Sequence, residues 1–371
     1  MKTTDKTDSP MAARILKLLR VEPTSDIHEA YRFLEEVELD ARPVRVAKWP
    51  STRYHIYWPN WLKKPATLLF NHASLLVQLL KGIASGQVVI VREFTNWLFI
   101  FIAPIVFPLR RRVILNINDN LAPRLSGLSK ACFGVLRRMG FPILLLDGDE
   151  VRRDLCERVG DMTLLTPYFA VPDRRSERRT RSDPAKAFIV GFVGYFRHDK
   201  GGLEALGAAV RGLKAEPGIT IALGYWNRGQ VDALPPEVRA SVVLRDTFLY
   251  SDYLDYLRSC HVIIVLAARE FYELRHSGVL VDSISCGTLT LCPSYPLLRY
   301  QVLHPVPVGA TYATLEELPQ RVRALRQDAD RLEQNFDTYF RARSPRAVSE
   351  QLERAWRERD ANAMIERRAS R

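Results

Sequence analysis

Short apolar runs alternate with amphipathic stretches along most of the chain. Upstream, strand-like runs occupy residues 13–21, 44–49, 54–58, 87–93, 111–118, 141–147 and 162–169. Helical periodicity covers 27–39, 66–84 and 122–139 between them. Downstream, the runs are 188–196, 220–226, 241–246, 261–267 and 288–293, separated by helical stretches at 203–214, 251–259 and 278–285. Runs of Val, Ile and Leu that alternate with helices predict parallel sheets covered on both faces. Residues 315–368 carry helical periodicity and no strand pattern.

The sharpest break is VPDRRSERRTRSDPAKA, residues 171–187, with two prolines and no apolar periodicity. It reads as an interdomain linker. The fold expected is therefore α/β, with two tandem doubly wound, Rossmann-like domains facing a cleft, and C-terminal helices. The first domain covers 1–170 and the second 188–340, with 341–371 as a C-terminal helix available to pack back on the first domain. In such sheets, ligands bind outside the carboxyl ends of the strands, so one domain can hold a donor and the other an acceptor.

Composition adds a size argument and a charge. At 371 residues the chain exceeds the roughly 250–300 that one core supports, which agrees with two domains. Hydrophobic residues at 47% and charged residues at 26% exclude a disordered or low-complexity chain. Lys and Arg exceed Asp and Glu by 12. Five arginines in DRRSERRTR, residues 173–181, and three at Arg110–Arg112 concentrate that excess. An anionic membrane surface or a phosphate-rich substrate would suit them; a solvated linker explains them equally. No RNP, zinc-finger or helix-turn-helix pattern supports nucleic acid.

The five cysteines form no CxxC pair and no zinc spacing, which points to a reducing compartment without a structural metal. The first 21 residues lack a signal-peptide pattern, so a cytoplasmic location is expected. The most apolar run, Trp97–Leu109, has 13 residues and two prolines, short of the about 20 a membrane span needs.

Two downstream segments carry candidate chemistry. In FIVGFVGYFRHDKGGLEAL, residues 188–206, a strand ends at Gly194, a short loop holds Arg197 and Lys200, and Gly201 opens a helix. Glycines admit a ligand close to the backbone, and a helix N-terminus with loop cations attracts anions, a diphosphate above all. An ordinary βα loop has the same spacing. In the second segment, residues 261–294, a buried strand runs into Glu270, Tyr272, Glu273, Arg275, His276 and Ser277, and a helix starts at Ser277–Gly278. Phosphate could take that helix end and Arg275, while Glu273 or Asp282 could accept hydroxyl protons from a sugar.

Together these segments resemble the nucleotide-sugar-binding domain of GT-B glycosyltransferases, especially the glycosyltransferase family 4-like group. The likeness covers residues 188–293. In GYFRHDKG, Lys200 falls where the family places a phosphate-binding lysine; Tyr195 replaces the arginine after the glycine, and Arg197 stands in for it. In the family's Glu-x7-Glu pair, Asp282 takes the second place, whereas the first falls on Leu274 with Glu273 one residue off. The segment Tyr272–Asp282 is closer to a variant with Tyr, then Ser-Gly-x-x-x-Asp. The resemblance implies a hexosyltransferase-like enzyme that takes a nucleotide-diphosphate sugar and needs no metal or other cofactor. Arg197 and Lys200 would be catalytic, and Gly194, Gly201, Tyr272, Glu273, Arg275, Ser277, Gly278 and Asp282 would bind the donor.

Upstream, Arg53–Pro65 and Val113–Pro123 are similar to acceptor-domain strands of that group, with Tyr57-Trp58-Pro59 in the first. In the second, Asp119 stands where the family has a histidine, followed by Asn120. Asp119 would then be a general base for an acceptor hydroxyl; a capping turn explains Asn118–Asn120 as well. The apolar stretches 68–83 and 97–109, beside Arg110–Arg112, suit contact with an anionic membrane surface and a glycan or lipid-linked acceptor, or else burial in the core. By analogy the family suggests bacterial polysaccharide synthesis. A catalytically degenerate scaffold that binds a glycan or protein partner is the alternative. A kinase reading comes from LLLDGDEVRRDL, residues 144–155, which resembles an adenylylsulfate-kinase motif. It lacks the GxxxxGK[ST] loop that would cradle nucleotide phosphates.

Overall fold

The computed structural model describes residues 15–20, 44–45, 88–92, 96–116, 126–145, 163–165, 187–194, 202–273 and 277–344, with further helical residues between 73 and 84 and between 347 and 358. These form an α/β structure containing two six-stranded parallel sheets. The run at 54–58, the helical stretch at 27–39 and residues 171–186 of the linker lie outside the described residues.

The first sheet contains β1 (Ile15–Arg20), β2 (Val44–Arg45), β3 (Val88–Arg92), β4 (Val113–Asn116), β5 (Ile143–Leu145) and β6 (Thr163–Leu165), in the order β2-β1-β3-β4-β5-β6. Helix α1 (Asn96–Val106) runs into a 3-10 turn, Phe107–Arg112, and α2 (Gly127–Arg138) follows β4. Asn96 Nδ2 donates to the Ser129 carbonyl at 3.1 Å, tying the start of α1 to α2. The run Trp97–Leu109 is thus helical. Its Leu98, Phe99, Ile102, Ala103 and Val106 face the core, at the three-to-four residue spacing of one helix side.

The second sheet contains β7 (Phe188–Val193), β8 (Ile219–Tyr225), β9 (Val243–Asp246), β10 (Val262–Ile264), β11 (Leu289–Pro293) and β12 (Gly309–Tyr312), ordered β12-β11-β10-β7-β8-β9. Helices α3 (Gly202–Lys214), α4 (Tyr250–Ser259), α5 (Gly278–Ser285), α6 (Pro296–Leu303), α7 (Leu318–Gln327) and α8 (Phe336–Ala342) surround it. Strands β10 and β11 are buried along their whole length, the mark of a sheet with helices on both faces. Buried residues at 206, 209, 210 and 213 turn one side of α3 onto this core.

The structure corrects the sequence reading by one strand. Residues 309–312 are not among the strand-like runs of the sequence, yet they pair in parallel with β11. GATY has no apolar run, so its strand character comes from pairing. Gly309 packs so closely that a Cβ there would stand 1.9 Å from the Thr290 carbonyl oxygen. The helical periodicity after residue 315 is also divided, into α7, a short helix at Ala329–Glu333 and α8.

Glycines let α4 lie close to the sheet. A Cβ at Gly191 would be 2.9 Å from the Tyr256 hydroxyl, and one at Gly224 would be 3.0 Å from the Tyr256 ring. That hydroxyl donates between the carbonyls of Phe192, at 2.8 Å, and Ala222, at 3.0 Å, bracing β7 against β8.

Candidate functional site

The strand order of the second sheet reverses between β7 and β10. The chain winds from β7 outward through β8 and β9, then crosses to β10 and winds the other way. Helices leave the two strands in opposite directions there, which opens a crevice at their carboxyl ends.

Gly194 stands at that point. Its φ is +127°, a conformation side-chain-bearing residues rarely adopt, so it turns the chain sharply after β7. A Cβ built on it would be 4.0 Å from Val279, in the first turn of α5. The end of β7 and the amino end of α5 therefore adjoin, although they are 84 residues apart in the chain (278 − 194). Gln230 Nε2 donates to the Gly194 carbonyl at 3.2 Å, and its Oε1 accepts the Trp226 N–H at 3.0 Å. This side chain holds the turn after β7 against the end of β8. Replacing Gly194 with Ala adds no clash but forces the strained φ, costing about 1–3 kcal/mol or shifting the turn. Urea unfolding of Gly194→Ala should show that loss.

Helix α5 begins with a built cap. The Ser277 hydroxyl accepts the Leu280 N–H at 3.4 Å, and the Ser277 N–H donates to Gln301 Oε1 at 3.2 Å. Ser277 and Gln301 are both buried. The Ser277 hydroxyl thus serves the helix, and the first-turn amides of Gly278 and Val279 are those that lack intrahelical acceptors by geometry. A Cβ on Gly278 would meet nothing within 4 Å, so there is open space at this helix end. With the positive end of the helix dipole, an anion can approach here.

Asp282 lies one turn further along the face of Gly278. It is buried, and its Oδ2 accepts the Tyr253 hydroxyl of α4 at 2.9 Å. Burial raises its carboxyl to about 7, with the Tyr253 hydrogen bond pulling more weakly downward. Burial also raises the Tyr253 phenol well above its ordinary value, so it remains a donor.

Tyr272 and Glu273 do not lie in an open loop. A short helix, Arg269–Tyr272, carries Tyr272, which packs against the buried cluster around Tyr256 and Leu280. Glu273 follows at the C-cap, and its carboxylate accepts from the Arg269 guanidinium at 2.9 Å. The structure thus brings together Gly194, Ser277, Gly278 and Asp282, and gives Glu273 a partner of its own. Asp119, Arg197, Lys200, Gly201 and Arg275 lie outside the described residues. Sequence reasoning missed Gln230, Gln301 and Tyr253. Their roles come from contacts across 24 to 36 residues, for which no local pattern exists.

No family model matches the chain, and no curated protein sequence matches it. Solved structures do match in fold. Sucrose-phosphate synthase of Thermosynechococcus elongatus aligns at 15% identity and a TM-score of 0.60, over 94% of this chain and 89% of that one. HepE of Anabaena, solved in complex with UDP, aligns at 13% identity and 0.60, over 94% and 100%. The UDP-forming α,α-trehalose-phosphate synthase of Burkholderia xenovorans, in complex with glucose-6-phosphate, aligns at 12% and 0.56, over 80% and 78%. The likeness is one of fold. These neighbours are GT-B glycosyltransferases, the fold that the motifs at 188–293 resemble. At such identities membership of family 4 does not follow.

Proposed function

We propose that the chain is a GT-B glycosyltransferase, with two tandem domains facing a cleft, that moves a sugar from a nucleotide-diphosphate sugar to a glycan or lipid-linked acceptor. The observation that carries this reading is the meeting of the Gly194 turn with the amino end of α5 where the strand order reverses. Backbone, helix dipole and open space converge there on one point suited to a diphosphate. The fold shared with HepE, solved in complexes with UDP and with UDP-glucose, supports it.

In this reading the loop after Gly194 brings Arg197 and Lys200 to the phosphates. Two fixed cations stabilise charge as it develops on the leaving diphosphate, and stabilisation confined to the transition state accelerates the step. They take the part a divalent metal would play, so no metal is needed. Gly201 and Arg275 belong to the same phosphate site. Asp282, on the face of Gly278, orients a sugar or ribose hydroxyl, and Asp119 of the first domain is the base that takes the acceptor proton. The acceptor lies at an anionic membrane surface, within bacterial polysaccharide assembly.

A calorimetric titration with UDP-glucose, paired with a donor-hydrolysis assay, tests the reading. Lys200→Ala should lower turnover by about 100-fold or more, the scale of losing one charge-stabilising group. Absence of binding to UDP- and GDP-sugars alike would sink the proposal. One observation favours a non-catalytic scaffold instead: Glu273, nearest to the family's first glutamate, is held by Arg269. Donor binding without turnover against any acceptor would assign that second reading.

A further inference from the structure

Helix α1 is apolar on two sides. Its inner side is buried, as described above. Its outer side carries Trp97, Phe101 and Ile105, four residues apart, and the following turn adds Phe107 and Leu109. All five are exposed, Phe101 by 70% and Ile105 by 53%. An ordinary surface helix turns polar residues outward, and one that is apolar all round is buried or lies in lipid. Scattered exposed apolar residues need no account, but a row of five along one helix and its exit does.

Within the two described segments that carry this row and pack beside it, the charged residues have one sign. Residues 96–116 and 126–145 contain six cations, Arg110, Arg111, Arg112, Lys130, Arg137 and Arg138, and no Asp or Glu. Five of them gather at the exit of α1. Arg110 lies over the Phe107 ring, 4.2 Å from its centre, and donates to the Phe107 carbonyl at 3.1 Å. A Cβ on Gly140, just past Arg137 and Arg138, would be 3.8 Å from Arg110 Nε. The basic end of α2 therefore meets the basic turn after α1.

We infer that the outer face of α1 and the arginine turn after it form a docking element for an anionic lipid surface. The 11-residue helix is about 16 Å long and cannot cross the roughly 30 Å hydrocarbon layer, so it lies in the interface plane. Trp97, Phe101 and Ile105 enter the acyl boundary, and the arginines, on long apolar stems, reach lipid phosphates at the rim. The absence of carboxylates from both segments is what selects an anionic surface over a neutral one. The inference deepens the membrane contact within the proposed function and rests on that reading for its purpose; binding to vesicles and turnover of donor are read separately.

The test is sedimentation of the full chain with vesicles of phosphatidylcholine alone and of phosphatidylcholine mixed with phosphatidylglycerol. Binding is expected to the mixed vesicles, and to weaken in salt near 1 M, where charges are screened beyond about 3 Å. The double variant Phe101→Ser, Ile105→Ser should lose about 10-fold or more in partitioning. Arg111→Gln with Arg112→Gln should lose on the order of 10-fold and respond less to salt. Because these side chains lie outside the core, both variants should keep their thermal unfolding midpoint and donor hydrolysis. No binding by the natural chain, or equal binding by the Phe101/Ile105 variant, overturns the inference. So does self-association abolished by that variant without vesicle binding, which assigns the face to a second copy. Vesicle binding by a natural chain that shows neither donor binding nor turnover would overturn the transferase reading and leave the docking surface standing.

Discussion

Replacing Asp282 with Asn should leave stability unchanged below about pH 4 and raise it by on the order of 4 kcal/mol at pH 8. Burial lifts this carboxyl from its ordinary 3.8 to about 7, so the folded chain holds the proton more tightly than the unfolded chain does. Between those values the unfolded state releases its proton and the folded state keeps it. The contribution is therefore favourable at low pH and is lost as pH rises through about 7; above that, the ionised group costs its full desolvation. Three units at about 1.4 kcal/mol each give the stated size. Asn fits the same space and still offers an oxygen to Tyr253, so the cost of burying a charge disappears, less whatever its amide N–H groups lose on burial. Urea unfolding of both proteins from pH 4 to pH 8 provides the check, and a flat difference across that range would refute the argument.

A carboxylate that weakens the fold at neutral pH calls for a reason at the site. Titratable groups shifted by burial in a cleft are functional candidates, because structure alone gains nothing from them. Asp282 shares a face of α5 with Gly278, and the Gly194 turn lies against Val279 in the first turn of the same helix. The same Asn variant that gains stability should therefore lose affinity for a nucleotide sugar under the proposed function.

How much of this is legible before folding differs from element to element. The bounds of α5 can be read directly: Ser277 is a cap residue, and Gly287, at φ +68°, ends the helix in a conformation glycine favours. Strands β7, β8, β10 and β11 announce themselves as apolar runs because helices cover both their faces. Strand β12 does not, since its GATY sequence is held only by the neighbour it pairs with. For α1 the pattern shows an apolar segment but not which side meets the core, since nearly every position would serve. Only the packing of Phe99 and Ile102 inward settles that Phe101 and Ile105 face out. The Tyr253–Asp282 hydrogen bond joins residues 29 apart on two helices, and its geometry depends on how each is rotated, which no sequence window specifies.

Arg343 should be the costliest single residue to truncate at the carboxyl end of the second sheet's helices. It follows α8, and only 1% of its surface is exposed. Its guanidinium donates to the carbonyls of Tyr300, at 3.2 Å, and His304, at 2.6 Å, and lies 4.9 and 5.0 Å from the ring centres of Tyr300 and Tyr339. Those carbonyls are the terminal acceptors of α6, where the helix dipole is negative. The cation is thus balanced by a helix end and two aromatic faces. Arg343→Ala removes charge-assisted hydrogen bonds worth about 1.5–3 kcal/mol, leaves terminal carbonyls buried, and opens a void among the rings. A loss of about 2–4 kcal/mol is expected from the lost hydrogen bonds and the void together. Lys should rescue little, since an ammonium lacks the planar face that lies against the rings of Tyr300 and Tyr339. Full stability of the Lys variant would show that charge alone matters. Retention of the natural unfolding midpoint by the Ala variant would show that α8 does not anchor α6 at all.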